Sequence, residues 1–159
     1  MENIDIIIPK NKKVFVVENN KIRCGNLVNI EFIKSCDTSE NKLSYVVEMY
    51  DSGLNRSYEL SQIFESEEVS KKYSNKDIDL YSCLIDERFS EYKKINFNIG
   101  ILNCEVKSFI NNAYDCFYGE IVKLIIRLDL KFDCFQYNCC VKSFLTDKIK
   151  TIPFYKIKF

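Results

Sequence analysis

The side chains of this 159-residue chain whose types could do chemistry are eight cysteines, 23 carboxylates and ten tyrosines. There is no histidine, so the commonest general base near neutral pH, the usual activator of a Ser or Cys nucleophile and the commonest metal ligand are all missing. Zinc sites need closely spaced ligand pairs such as C-x-x-C. Here the spacings run from Cys24 to Cys36, from Cys104 to Cys116, and from Cys134 to the adjacent Cys139 and Cys140. None of these has knuckle spacing, and the cysteines read as structural thiols. Cys104 and Cys134 fall on apolar phases of strand-like alternation and are expected to be buried. Among the carboxylates, Asp77 with Asp79 and Asp86 with Glu87 read as solvated helix surface. Asp129 and Asp133 alternate with Arg127 and Lys131, which neutralise them. Four glycines, at 25, 53, 100 and 119, cannot build a phosphate cradle. The expectation is a protein with no catalytic residues, no metal and no cofactor, hence not an enzyme.

What remains is recognition chemistry. Tyr45, Tyr50, Arg56 and Tyr58, with Phe64, cluster along a hairpin whose turn is Asp51-Ser52-Gly53. Tyr and Arg bury area while keeping a polar tip, which suits interfaces and base stacking. The formal charge is zero, which argues against a binder that relies on neutralising phosphates. Yet residues 59–92 are net acidic, and 142–159 carry five lysines against Asp147 alone. Lys148, Lys150, Lys156 and Lys158 therefore join the hairpin residues as candidate binding positions.

The elements that must position these residues are mostly strands. Val14–Val17 and Lys21–Cys24 flank the turn Glu18-Asn19-Asn20. Gly25 permits a bulge or bend before Leu27–Ile33, and Leu43–Tyr50 places Tyr45, Val47 and Met49 on one face. Glu67 and Glu68 open a short helix and face Lys71 and Lys72. Ile78, Tyr81, Ile85, Phe89 and Tyr92 recur at helical spacing over Asp77–Tyr92. Period-two alternation returns after Lys93. It runs longest from Val122 to Cys134, with a bulge expected near Ile125, and it ends in a strand reaching Phe159. The expected class is α+β, mostly antiparallel: a small barrel, two central helices and a β-rich C-terminal half. The expected boundaries are 1–74, a linking amphipathic helix at 75–93, and 94–159 packed on the first unit. No repeat is evident, no apolar run is long enough for a membrane helix, and the N-terminus lacks a signal-peptide core. A reducing, cytoplasmic setting follows.

The run from Lys13 to Gly25, with Tyr45-Val46-Val47 and the stretch from Ser57 to Glu68, resembles small SH3-like barrel proteins of clostridial and phage genomes. The resemblance spans residues 13–73 and implies an SH3-like barrel and a phage or mobile-element setting. It assigns no functional residue, and the C-terminal half carries no such resemblance. Elimination and resemblance together point to a non-enzymatic protein–protein interaction protein. It would be an anti-CRISPR-like inhibitor of a host defence protein, with a host or phage protein as partner and no membrane. The alternatives are a single-stranded nucleic-acid-binding module and a metal-dependent enzyme with a carboxylate site. Strand edges in the C-terminal half also allow a homodimer.

Overall fold

The structure, a computed structural model, describes residues 2–37, 41–73, 88–109 and 116–159. The chain opens with β1 (Asn3–Pro9), β2 (Lys13–Glu18), β3 (Lys21–Ser35), β4 (Asn41–Met49) and β5 (Asn55–Tyr58). A 3-10 turn at Leu60–Gln62 leads to β6 (Ile63–Phe64), and α1 (Glu67–Tyr73) follows. Then come β7 (Tyr92–Asn98), β8 (Glu105–Phe109), β9 (Cys116–Asp129), β10 (Cys134–Ser143) and β11 (Ile149–Pro153). A second 3-10 turn, Phe154–Lys156, precedes β12 (Ile157–Lys158). Every strand pairing is antiparallel.

Local chemistry sets the turns. Asn19 and Asn20 both have positive φ, 51° and 62°, as a two-residue type I′ hairpin requires, and asparagine tolerates that region better than most residues. Between β9 and β10, Asp129 Oδ1 accepts from the backbone N–H of Lys131 at 3.0 Å and of Phe132 at 3.2 Å, and Asp133 takes φ 50°. In α1, Glu67 and Lys71 pair across one turn at 3.5 Å.

Several expectations need correction. The described residues form an antiparallel β protein with one seven-residue helix, α1, in place of an α+β fold with two central helices. The helix expected over 77–92 lies mostly outside the described residues, and Tyr92, its expected last residue, opens β7. The alternation from Val122 to Cys134 is two strands, because its phase happens to continue through the Asp129 turn. The bulge in β9 falls at Val122, where the register with β10 shifts, and not near Ile125. The expected final strand is broken by the 3-10 turn, leaving Tyr155 and Phe159 exposed while Ile157 is buried.

The strand paths also show a repeat that composition conceals. In the first half the hydrogen-bonded order is β6-β2-β3-β4-β5, with a 3-10 turn before β6. In the second it is β12-β8-β9-β10-β11, with a 3-10 turn before β12. The offset that takes Gly25 to Gly119 superposes the registers of β3, β4, β5 and β6 on those of β9, β10, β11 and β12, while β2 maps onto β8 with an offset two residues shorter. Leu27 opposite Val47 becomes Ile121 opposite Val141, Tyr45 opposite Tyr58 becomes Cys139 opposite Ile152, and the bulge residue Val28 becomes Val122. The glycine contacts repeat as well. A Cβ at Gly25 would lie 2.3 Å from the Glu48 carbonyl oxygen, and one at Gly119 would lie 2.1 Å from that of Lys142. Only a residue without a side chain lets the strands approach so closely. Counterparts are buried together: Leu27 and Ile121, Ile30 and Leu124, Phe32 and Ile126, Val47 and Val141, Ile63 and Ile157.

The two copies are joined by two ladders. β1 pairs with β7, centred on Ile6 opposite Ile95, and β3 pairs with β9, centred on Phe32 opposite Ile126. Asn29 faces Asp129 and Ser35 faces Lys123, so each counterpart pair exchanges places about Phe32 and Ile126, as an approximate twofold axis demands. These ladders hydrogen-bond the expected 1–74 and 94–159 units to each other. One apolar cluster, including Val16, Phe32, Tyr45, Ile126 and Val141, runs through both. Among the described residues no helix is long and apolar enough to cross a membrane.

Candidate functional site

The hairpin residues converge on a carboxylate that the sequence did not single out. Glu18 ends β2, and the tight Asn19-Asn20 turn brings Arg23 of β3 onto its diagonal. Glu18 Oε2 accepts the Tyr58 hydroxyl at 2.9 Å and Arg23 Nη1 at 3.4 Å, while Oε1 accepts Arg56 Nη1 at 3.1 Å. Arg23 also grips Asp51 in a fork, Nη2 to Oδ1 at 2.9 Å and Nε to Oδ2 at 3.2 Å. Two carboxylates thus face two guanidiniums, and the charge is balanced within the cluster. The Arg23 guanidinium holds the Asp51 carboxyl below its ordinary range. Burial first, and Glu18 second, push the Tyr58 phenol up. Each charged group of this set is engaged by another member of it. The set locks the β4–β5 hairpin end in one shape. A diagonal opposite-charge pair across a two-residue turn is the signal that would have found Glu18 and Arg23.

The candidate tyrosines separate. Tyr45 is a core residue, fully buried, with its hydroxyl donating to the Ile7 carbonyl at 2.7 Å, and burial pushes its phenol up. Tyr58 is buried beneath the Glu18 cluster. Tyr50 is half-exposed and donates to Asn26 Oδ1 at 2.7 Å, and Arg56 is exposed. The lysines lie on the other copy of the unit. Lys148 is in the β10–β11 loop and Lys150 on β11, Lys156 stands 5.9 Å over the Tyr155 ring in the second 3-10 turn, and Lys158 is on β12. Arg56 and Lys150 occupy equivalent positions in the two copies.

Exposed large apolar side chains are distributed unevenly. Of eleven among the described residues, Tyr50 and Leu54 belong to the first copy. The other nine, Tyr118, Phe132, Phe135, Phe144, Leu145, Ile149, Phe154, Tyr155 and Phe159, belong to the second. Part of this surface borders a cleft of about 680 Å³ between the β1–β7 ribbon and the β9–β10 turn, with Ile8, Ile95, Leu128, Leu130 and Phe135 in its wall. Phe135 meets Phe97 edge-on at 5.8 Å between ring centroids, and Tyr137 stacks on Phe154 at 4.6 Å.

Thiol placement departs from the sequence expectation. Cys134 is exposed and Cys104 half-buried, whereas Cys139 and Cys140 are buried. The turn explains Cys134, which sits at the first position of β10 beside a solvated loop. Burial, with Cys140 adjacent, pushes the Cys139 thiol up to about 12, so it stays protonated at neutral pH and is no nucleophile. Asp129 spends Oδ1 on its own turn. Among the described residues no three His, Cys, Asp or Glu side chains are grouped to hold a metal. No family model, curated protein or solved structure matches the chain.

Proposed function

We propose that this protein is a non-enzymatic binding protein that acts by covering a surface of another protein. The observation that carries the reading is the concentration of exposed aromatic and aliphatic side chains on one of two otherwise equivalent units. Exposed apolar side chains concentrated on one unit mark contact surface, and Phe and Tyr are enriched at such contacts. The finer form of the proposal is an inhibitor of a host defence protein, anti-CRISPR-like, carried by a phage or mobile element. That setting rests on the resemblance of residues 13–73 to small SH3-like barrel proteins, which the order β6-β2-β3-β4-β5 with its 3-10 turn supports. Inhibition by occlusion needs only a stable surface of complementary shape and charge. The test is capture from a clostridial host lysate by the tagged full chain. A specific, stoichiometric host protein is expected, and recovery of none sinks the reading.

Single-stranded nucleic acid is the second reading, favoured by Lys156 over the Tyr155 ring beside Lys158 and the exposed Phe154. Stacking on those rings with lysines along the backbone would give binding that weakens steeply with salt. Titration of labelled oligothymidine at low salt decides it, and an absence of binding there eliminates it.

A further inference from the structure

The duplicated unit supplies an internal control for the cleft. Leu128 of β9 lies opposite Phe135 of β10, and the counterpart pair in the first copy is Lys34 of β3 opposite Asn41 of β4. Two residues on, the Leu130 N–H donates to the Val28 carbonyl, just as the Cys36 N–H donates to that of Val122. In the first copy this corner is polar: Lys34 is paired with Glu2, and Asn41 and Cys36 are exposed. In the second it is apolar and hollow, with Leu128, Leu130 and Phe135 on one wall and Ile8 and Ile95 of the β1–β7 ribbon on the other. The fold does not require apolar residues here, because its other copy is built without them. Phe97 meets the Phe135 ring edge-on at 5.8 Å, which braces that wall although Phe135 is 59% exposed.

Volume and charge together define what fits. About 680 Å³ falls within the roughly 300–1,000 Å³ that small-molecule sites enclose. The charged side chains of the lining are Lys10, Lys12 and Lys93 against Glu91, Asp129 and Asp133, equal in number and opposite in sign. Lys10 is paired with Glu91, and Asp129 accepts two N–H groups of its own turn. An ion entering this cleft would lose hydration with no net opposite charge to replace it. An uncharged apolar body loses nothing comparable and gains by burial against Ile8, Ile95, Leu130 and Phe135. We propose that the cleft between the β1–β7 ribbon and the β9–β10 turn is a binding site for an uncharged, mainly apolar small molecule. The proposal goes beyond the protein-binding reading and does not rest on it.

The test uses the full chain and anilinonaphthalene, an uncharged dye that brightens in apolar surroundings, with its sulfonated analogue as the charged control. The neutral dye is expected to bind saturably, to be indifferent to salt, and to bind about tenfold more tightly than the sulfonate. Cys134 lies in the cleft wall, whereas Cys36 stands at the counterpart corner. Saturating dye should therefore slow alkylation of Cys134 by iodoacetamide and leave that of Cys36 unchanged. Phe135→Asn, which installs the first copy's residue, and Ile95→Gln on the facing wall should each weaken the dye by about tenfold or more. The Cys134 readout needs no variant, so the proposal stays falsifiable if either substitution misfolds the chain. Absence of saturable binding, tighter binding of the sulfonate, an unprotected Cys134, or binding indifferent to both variants overturns the inference. So does dye-free protection of Cys134 that grows with protein concentration, because a second copy of the chain would then occupy the cleft.

Discussion

At the residue scale, glycine and cysteine carry the clearest consequences. Gly25 was legible as a point where a strand could bend, whereas Gly119 carried no such reading. Sequence alone did not reveal that each lets a carbonyl of the next strand come within a distance no Cβ permits. Gly25→Ala and Gly119→Ala should each destabilise the protein by about 1–3 kcal/mol or more, since the obstacle is backbone and cannot swing aside. Urea unfolding measures this, and a wild-type midpoint in either variant would refute the tight approach. The thiols divide by exposure. Cys134 should label readily with an aromatic disulfide reagent at pH 8, and Cys36, exposed but with its thiol pushed up by desolvation and by Asp37, more slowly, whereas Cys139 labels only on unfolding, as peptide mass mapping would show. The sign of the pH effect follows. Cys139 has its folded pKa raised from 9.0 to about 12, so its contribution to stability is complete below the unfolded value and lost as pH rises toward 12. Between pH 8 and 11 the wild type should therefore lose more stability than Cys139→Ala does. The Glu18 cluster escaped the sequence reading because its members come from β2, β3, β5 and the β4–β5 turn, and only the strand pairing of the folded sheet brings them together.

At the scale of elements, strands were readable wherever one face is buried. β4 shows this plainly, with Tyr45, Val47 and Met49 facing inward as its alternation predicts. Alternation fails to mark an end when a turn preserves phase, as happens between Asp129 and Cys134, and it reverses at a bulge, as at Val28 and Val122. β1 went unread because Ile6, Ile7 and Ile8 do not alternate, and its partner β7 lies far along the chain. Turn chemistry gives a prediction here. Asn20→Val places a β-branched residue at φ 62° and should cost about 1–2 kcal/mol, while Asn20→Gly should be tolerated or mildly stabilising. Thermal unfolding of the two variants checks the order, and a stable Val variant would contradict the type I′ geometry.

At the scale of the molecule, the repeat was invisible in sequence because the identities it keeps, such as Gly25 with Gly119 and Val47 with Val141, are residues that many β proteins would place there. Only the register reveals it. Phe32 and Ile126 sit at the centre of the joining ladder and are fully buried. Phe32→Ala should cost about 3–5 kcal/mol, and it should lower the stability of both units in one cooperative transition. Two separated transitions by fluorescence and circular dichroism would show that the ladders do not couple the copies. Those ladders are the kind of contact that two independent chains would make, and such a pair would fall apart on dilution. Here the peptide chain through residues 65–91 keeps each copy at an effective concentration on the order of millimolar near the other. The assembly therefore survives at any protein level a cell could hold. Its melting temperature should stay fixed over roughly a hundredfold change in concentration, unlike that of a true dimer.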